Sequence, residues 1–497
     1  MREKPEKLIK LINTKAFCFA IVLIVLASST SFGQSITWQK VLNNKYGVLN
    51  KVIQTPDGGF IGVGTDRINN FDKMYLVKLD NFGNVVWTKI IGVGNAEGYW
   101  IEQTIDNGLI IGGSIDSGFG DTQAYLVKID MQGNMQWHMS YSNSGLDQCY
   151  CVKQIYDGGF ILSCRTSPSN LNKAMFIRTD PMGNLIWKKI YGNGANTIVN
   201  EIQIIENGFI GAGYNGLQNT ADGYLIKLNY NGDTIWTKVF GGNGIDGFYS
   251  LDKVSLQGFV LAGTSDSYNI RNRPETYLVR IDTNGSELWY KTFSGYDYDV
   301  CKTVRYKQGV GYILAGYSDS IAGIETKAKV RIISESGLLL KETSYLPNIV
   351  NCTLSVFNSA EMTGDGGFIF AGYNEITSFL SMYVVKTDSL LFSNPIGISS
   401  NHNNIPIEYL LSQNYPNPFN PTTNIKFEIP KDAHVSIKIY DLLGREVFSV
   451  KEYKQAGSYE MMFDGSNLAS GLYFYSIKAE TSQRDVYTET RKMVLIK

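Results

Sequence analysis

The sequence predicts an all-β protein, a seven-bladed β-propeller followed by a small C-terminal immunoglobulin-like β-sandwich. Three observations predict it. A strand-turn-strand phrase, first Asp57-Gly58-Gly59-Phe60-Ile61, repeats its second glycine at Gly108, Gly159, Gly208, Gly258, Gly311 and Gly367, in steps of 49 to 56 residues. That is the period of a propeller blade. A second phrase, Asp80-Asn81-Phe82-Gly83 leading to Trp87, follows the first five copies, with Trp137, Trp187, Trp236 and Trp289 placed alike. A lone copy of the Trp strand around Trp38 stands at the front, while the seventh unit stops after Asp388 without one. The front strand is expected to fill the gap in the last blade, because a ring of sheets must hide its final edge.

Residues 1–33 read as a signal peptide. Arg2, Lys4, Lys7, Lys10 and Lys15 precede an apolar run from Ala16 to Ala27, and Ser31-Phe32-Gly33 places small residues before a cut between Gly33 and Gln34. The run is too short for a membrane span, which needs about 20 residues, so the mature chain is expected to have none. Net charge is −1 over 497 residues, with no basic stripe, so a nucleic-acid partner is not expected.

Residues 34–392 form the propeller. In the first blade Val52–Thr55, Phe60–Thr65, Tyr75–Asp80 and Val85–Ile90 read as strands, with Asp57-Gly58 as a two-residue turn. The same turn at Asp157-Gly158 would set Cys151 opposite Cys164 and allow a disulfide in an oxidising compartment. Gly64, Gly113, Gly213, Gly263, Gly316 and Gly372 recur at one point of the second strand, and are expected to admit the Trp of an adjacent blade. The sixth blade, where Leu338-Leu339-Leu340 replaces the Trp segment after Gly337, should be the softest.

The longer links, such as 66–73, 115–123, 215–222 and 265–276, leave on one face, where a ligand is expected. Tyr214, Tyr268, Tyr296, Tyr317 and Tyr373 lie there with Asp116, Asp147, Asp246 and Asp297 nearby. Aromatics beside acids suit glycans or peptides. Catalytic material is sparse: the three histidines, His138, His402 and His434, fall in unrelated places, so no metal cluster or Ser-His-Asp triad assembles. Most aspartates repeat with the turns. Binding or adhesion is the expected role, with no metal, cofactor or enzyme activity; a carboxylate-dependent extracellular glycan hydrolase or lyase is the competing class.

The Asp-x-x-Gly-x-x-x-Trp phrase resembles the tryptophan-docking repeat of quinoprotein-like propellers. It lacks the adjacent cysteine pair that packs on a quinone, so the resemblance implies blade packing rather than a cofactor.

A linker spans 393–411. From 412 to 497 a new strand pattern begins, with turns at Leu443-Gly444, Ala456-Gly457 and Asp464-Gly465. Tyr415-Pro416-Asn417-Pro418-Phe419-Asn420-Pro421, Tyr440-Asp441-Leu442-Leu443-Gly444-Arg445, Ala469-Ser470-Gly471-Leu472-Tyr473 and Arg491-Lys492-Met493-Val494-Leu495 resemble the type A C-terminal sorting domain of the type IX secretion system, found on Bacteroidetes-type secreted proteins. Gly471, Leu472, Tyr473 and Lys492 match its shared motifs. The resemblance implies periplasmic transit, export by the type IX machinery, removal of the domain by a sortase-like peptidase, and attachment to surface lipopolysaccharide or release.

Overall fold

Short apolar runs bounded by Asp, Asn and Gly close into hairpins rather than helices, and strands make up the regular structure of the described residues. The computed structural model describes residues 36–393 and 409–496 except 43–45, 93, 117–120, 144, 169–170, 193–194, 218–219, 256, 269–272, 295–297, 320–324, 348–351, 377–378, 455 and 482–485. The expected cleavage point at Gly33 and Gln34, and Tyr296 and Asp297, lie outside them. The chain divides into two compact units, one ending at Asn394 and the other starting at Pro395.

In the first unit β1 (Trp38–Leu42) precedes a succession of antiparallel sheets. The first contains β2 (Val48–Gln54), β3 (Phe60–Ile68), β4 (Phe71–Leu79) and β5 (Val85–Ile91). The second contains β6 (Ala96–Gln103), β7 (Leu109–Asp116), β8 (Thr122–Ile129) and β9 (Met135–Tyr141). The third is β10 (Gln148–Gln154), β11 (Phe160–Thr166), β12 (Lys173–Thr179) and β13 (Leu185–Tyr191). The fourth is β14 (Asn196–Ile205), β15 (Gly208–Gly216), β16 (Asp222–Leu228) and β17 (Thr234–Phe240). The fifth is β18 (Asp246–Lys253), β19 (Phe259–Ser265), β20 (Glu275–Ile281) and β21 (Glu287–Phe293). Next come β22 (Asp299–Lys307), β23 (Gly311–Asp319), β24 (Thr326–Ile333) and β25 (Leu339–Tyr345), linked by the single pairing of Thr326 with Leu354 to β26 (Cys352–Met362), β27 (Phe368–Ile376) and β28 (Phe379–Thr387).

The middle strands are buried on both faces, as β7 and β8 show, while outer strands such as β9 alternate exposed and half-buried positions. Apolar cores therefore lie between sheets: Leu126 of β8, Phe176 of β12 and Phe209 of β15 share one cluster. β1 completes the edge of β28, with Trp38 opposite Lys386 and Leu42 opposite Met382. The first sheet also packs on the last, since Asn358 Nδ2 donates to the Leu49 carbonyl at 3.0 Å and the Val52 amide to Ser359 Oγ at 3.3 Å. The succession closes on itself, in a propeller-like arrangement.

Several expectations need correction. The Asp-Gly turns are three-residue loops: Thr55 N donates to Gly59 O and Gly58 N to Thr55 O, both at 2.9 Å, and Gly58 alone carries the positive φ, at 81°. A two-residue turn with both φ positive occurs instead at Asn69 (52°) and Asn70 (65°). It turns the expected 66–73 loop into a hairpin with Ile68 opposite Phe71.

In the third sheet the longer turn shifts the ladder, and a bulge at Tyr150 shifts it again. Cys149 therefore stands opposite Cys164, and Cys151 opposite Ser163, so the expected Cys151 to Cys164 facing is wrong. The five cysteines of the described residues are buried free thiols.

The strand glycines make room for backbone rather than for an indole. A Cβ on Gly64 would run into the Val48 carbonyl oxygen, and the same collision recurs at Gly213, Gly316 and Gly372 with the first strand of each sheet. The indoles dock elsewhere, on the glycine of the next sheet's Asp-x-x-Gly turn, or Asn-x-x-Gly at Gly232: Trp38 on Gly83, Trp87 on Gly133, Trp137 on Gly183, Trp187 on Gly232 and Trp236 on Gly285. All these turn glycines have φ near 80°.

The second unit packs β29 (Leu410–Leu411), β30 (Thr422–Ile429) and β33 (Gly457–Asp464) as one sheet. The other contains β31 (Ala433–Tyr440), β32 (Glu446–Lys454), β34 (Gly471–Thr481) and β35 (Val486–Leu495), in the order β32-β31-β34-β35. Ile425 and Phe427 from one sheet and Ile437, Ile439, Tyr475 and Ile477 from the other share a single core.

Candidate functional site

Each of β2, β6, β10, β14, β18, β22 and β26 carries a bulge at an equivalent point, and β26 has a second one at its start. A bulge drops one residue out of the ladder and re-aims its side chain. The residues so displaced are Asn50, Tyr99, Tyr150, Asn200, Tyr249, Lys302 and Asn358, and together they line one central cavity of about 210 Å³.

The three asparagines are structural. Each reaches the carbonyl just before the next sheet's bulge: Asn50 Nδ2 donates to Gly98 O at 2.7 Å, Asn200 to Phe248 O at 2.8 Å, and Asn358 to Leu49 O. They tie neighbouring sheets together. The other four displaced residues are the tyrosines and Lys302. Tyr99 and Tyr150 meet edge to face at 5.4 Å, and the Lys302 ammonium stands 4.0 Å over the Tyr249 ring.

Next to the bulges lies a network of charges, of which Lys51, Glu201 and Arg305 also line the cavity. Lys51 pairs with Glu361, and Arg305 bridges Glu361 at 3.0 Å and Glu201 at 3.3 Å. Ser250 Oγ donates to Glu201 at 2.6 Å, and Lys153 pairs with Glu102 at 2.8 Å. Lys51 and Lys153 stand 4.4 and 5.0 Å over the Trp100 ring. Burial alone would raise the Glu361 carboxyl, but Arg305 and Lys51 outweigh it and hold the group down to about 2. Burial lowers Lys51, with Arg305 adding repulsion, and burial raises Asp252. Asp252 is nevertheless occupied, accepting the Tyr306 and Lys253 amides.

Of the tyrosines expected at the ligand face, Tyr214 on β15 is within electrostatic reach of Tyr150 and Tyr249. Tyr317 on β23 is likewise near Tyr249 and Tyr373. These three gather at the cavity's tyrosines. Tyr268 does not: it stacks on Tyr290 of the outer strand β21 at 4.7 Å and leans on Tyr277 of β20. Among the acids, Asp246 accepts from Ser267 Oγ and the Gly242 amide, and Asp147 from the Asn143 amide. They brace loops. The turn aspartates are equally engaged; Asp57 binds Lys78 Nζ and the Gly59 amide.

The bulged residues escape a reading of strand alternation because a bulge breaks it. They carry a positional signal all the same: each stands nine residues before the second glycine of its phrase, or eight in the fourth sheet, where the turn is one residue shorter.

In the second unit Gly471, Leu472 and Tyr473 lie on β34 and Lys492 on the neighbouring β35, with Gly471 opposite Leu495, Tyr473 opposite Met493, and Phe474 opposite Lys492. Tyr473 OH donates to the Ala469 carbonyl at 2.8 Å, closing the turn before the motif. The separated motif segments thus meet on one strand pair. No helix among the described residues is long and apolar enough to cross a membrane.

No curated protein matches the chain. Among solved structures, Sqt1 from Chaetomium thermophilum is 13% identical, with 69% of this chain and 84% of that chain covered and a TM-score of 0.41. The extracellular domain of a hybrid two-component system from B. thetaiotaomicron is 10% identical, with 92% of this chain and 59% of that chain covered and a TM-score of 0.41. Such distant likenesses carry no inference about what this chain does. Residues 413–494 match the family described as the secretion system C-terminal sorting domain. The second unit therefore bears a type IX sorting signal, and the protein is addressed to that secretion machinery for release or display at the cell surface.

Proposed function

We propose that the first unit is a seven-bladed β-propeller, zipped shut by β1, that serves as an extracellular binding or adhesion module without catalytic activity. The single observation that carries this reading is the tyrosine-lined cavity, in which each sheet contributes one bulged residue. A rigid ring that presents aromatic rings and hydroxyls suits glycan or peptide recognition. Its carboxylates are already held by Lys51, Arg305, Lys153 or backbone amides. Glycan and peptide arrays probed with the secreted protein test it: binding that is lost in Tyr249→Ala supports the reading, and binding that ignores this change removes it.

In this reading the tryptophan docking belongs to the quinoprotein-like type of repeat, and the second unit is an immunoglobulin-like sandwich. The signal peptide, residues 1–33, takes the chain to the periplasm. The type IX machinery exports it, and a sortase-like peptidase removes the sorting domain as the protein joins surface lipopolysaccharide or is released. Deleting 412–497 should trap the first unit in the periplasm, and its appearance in the medium would refute the export route.

A glycan hydrolase or lyase is favoured by one observation, the opposite displacement of two carboxyls in the same network, Asp252 raised and Glu361 lowered. Release of reducing sugar from arrayed glycans, abolished in Asp252→Asn, would establish it.

A further inference from the structure

We infer that the cavity recognises an acidic sugar, a uronate-bearing glycan end, with Lys302 as its charge anchor. This rests on the reading of the tyrosine-lined cavity as the binding site. The neighbouring cations Lys51, Lys153 and Arg305 each face a carboxylate. Lys302 does not: among the described residues it has no ion pair, and its closest charge-stabilising neighbour is the face of Tyr249 at 4.0 Å. Lys302 is half-buried in the cavity wall without a counter-ion, and a ligand anion seated there would offset the partial loss of hydration. Burial also lowers the Lys302 pKa, as expected for a cation awaiting a partner. A second cation shares the surroundings of the tyrosines: Arg165 lies beside Tyr150, and its Nε is buried without a hydrogen-bond partner.

The rest of the wall selects among anions. Tyr99, Tyr150 and Tyr249 offer ring faces with polar rims, and Thr303 and Ser359 add hydroxyls. Trp100 adds an indole, and Glu201 also borders the cavity but is already paired with Arg305. A pyranose ring matches such a wall, with hydroxyls at its edge and C–H groups on its face. The volume of about 210 Å³ falls below the roughly 300–1,000 Å³ of sites for drug-sized ligands. It suits one saccharide unit, so a chain end enters rather than a mid-chain segment.

Calorimetric titration of the secreted protein with digalacturonate, cellobiose and an acetylated dipeptide bearing a free carboxylate tests the proposal. Digalacturonate should bind at least tenfold more tightly than cellobiose. Lys302→Met should erase that preference, Lys302→Arg should keep it, and Lys238→Met on the exposed outer strand β17 should change nothing. Thermal melts confirm that each variant is folded; should Lys302→Met not fold, Lys302→Gln takes its place. Equal affinity for the two sugars, with Tyr249→Ala still abolishing both, overturns the acidic-sugar inference and leaves the cavity as the site. A preference for the dipeptide overturns it in favour of peptide recognition. Saccharide binding insensitive to both Lys302 and Tyr249, or no binding of any probe, overturns the inference and the cavity reading together.

Discussion

Trp38, on the strand that completes the last sheet of the first unit, docks on Gly83 in the first sheet. A Cβ on Gly83 would lie 2.7 Å from the indole Cδ2, and the indole Nε1 donates to the Asn81 carbonyl at 2.9 Å. The same contact joins Trp87 to Gly133 and Trp187 to Gly232, with Trp187 Nε1 donating to Tyr230 O at 3.1 Å. The same residue pair thus repeats at most junctions between sheets, and at the closure Trp38 brings it from the strand paired with β28.

Removing that pair should loosen the closure selectively. Trp38→Ala deletes a buried indole and should cost about 3–5 kcal/mol in denaturant unfolding of the first unit. Gly83→Ala adds both the strain of φ near 79° and the collision with Trp38. It should therefore cost more than Gly58→Ala, where φ is similar but no atom lies within 4 Å of the new Cβ. Equal costs for the two glycines would show that the indole contact adds nothing.

The junction before the last sheet has lost both members of the pair together. Lys341 occupies the tryptophan position and Leu391, with φ of 59°, the glycine position. Lys341 Nζ donates to the Leu390 carbonyl, and Tyr345 OH to Leu391 O at 2.6 Å, so part of the hydrogen bonding survives without the indole. Lys341→Trp alone should destabilise, because Leu391 fills the dock. Lys341→Trp with Leu391→Gly should recover stability, with a coupling of about 1 kcal/mol in a double-mutant cycle. Additive effects would mean that the two positions do not communicate.

Much of this architecture was legible because it repeats. The period of the Asp-Gly-Gly phrase and the orphan strand at Trp38 anticipate the succession of sheets and their closure, since a repeated unit with an exposed edge has few ways to satisfy its backbone. Register was less legible. The residue count across Asp157-Gly158 depends on whether the turn holds two or three residues, and one residue moves Cys151 away from Cys164. The Tyr150 bulge moves the ladder again. The site shared this difficulty, because Asn50, Tyr99 and Lys302 face the cavity only through bulges, which strand alternation does not foresee. Tyr214, Tyr317 and Tyr373, expected at the long-loop face, sit on second strands beside those bulges.

The register in the third sheet makes its own prediction. Under mild oxidation Cys149 should bridge to Cys164, its direct partner across the strand pair, while Cys151 opposite Ser163 stays alkylatable after denaturation. Peptide mapping under non-reducing conditions reads the outcome. Cys151→Ser should leave the bridge intact, and a bridge that contains Cys151 would mean that the ladder is shifted by one residue.

Acid should find the charge network bordering the cavity before it finds the apolar cores. The Glu361 carboxyl titrates at about 2 in the folded chain against an ordinary 4.5, because Lys51 and Arg305 favour its charged form over the cost of burial. A depressed carboxyl contributes stability that is complete above the unfolded value and fades as pH falls from about 4.5 toward 2. Glu361→Gln leaves Lys51 without its direct counter-ion and Arg305 with Glu201 alone, which should cost about 3 kcal/mol at pH 7. Measured by urea unfolding, the gap between the two proteins should narrow steadily below pH 4.5, since protonation removes from the native chain what the substitution already removed from the variant. A gap unchanged down to pH 2.5 would place the source of the stability elsewhere than in the Glu361 charge.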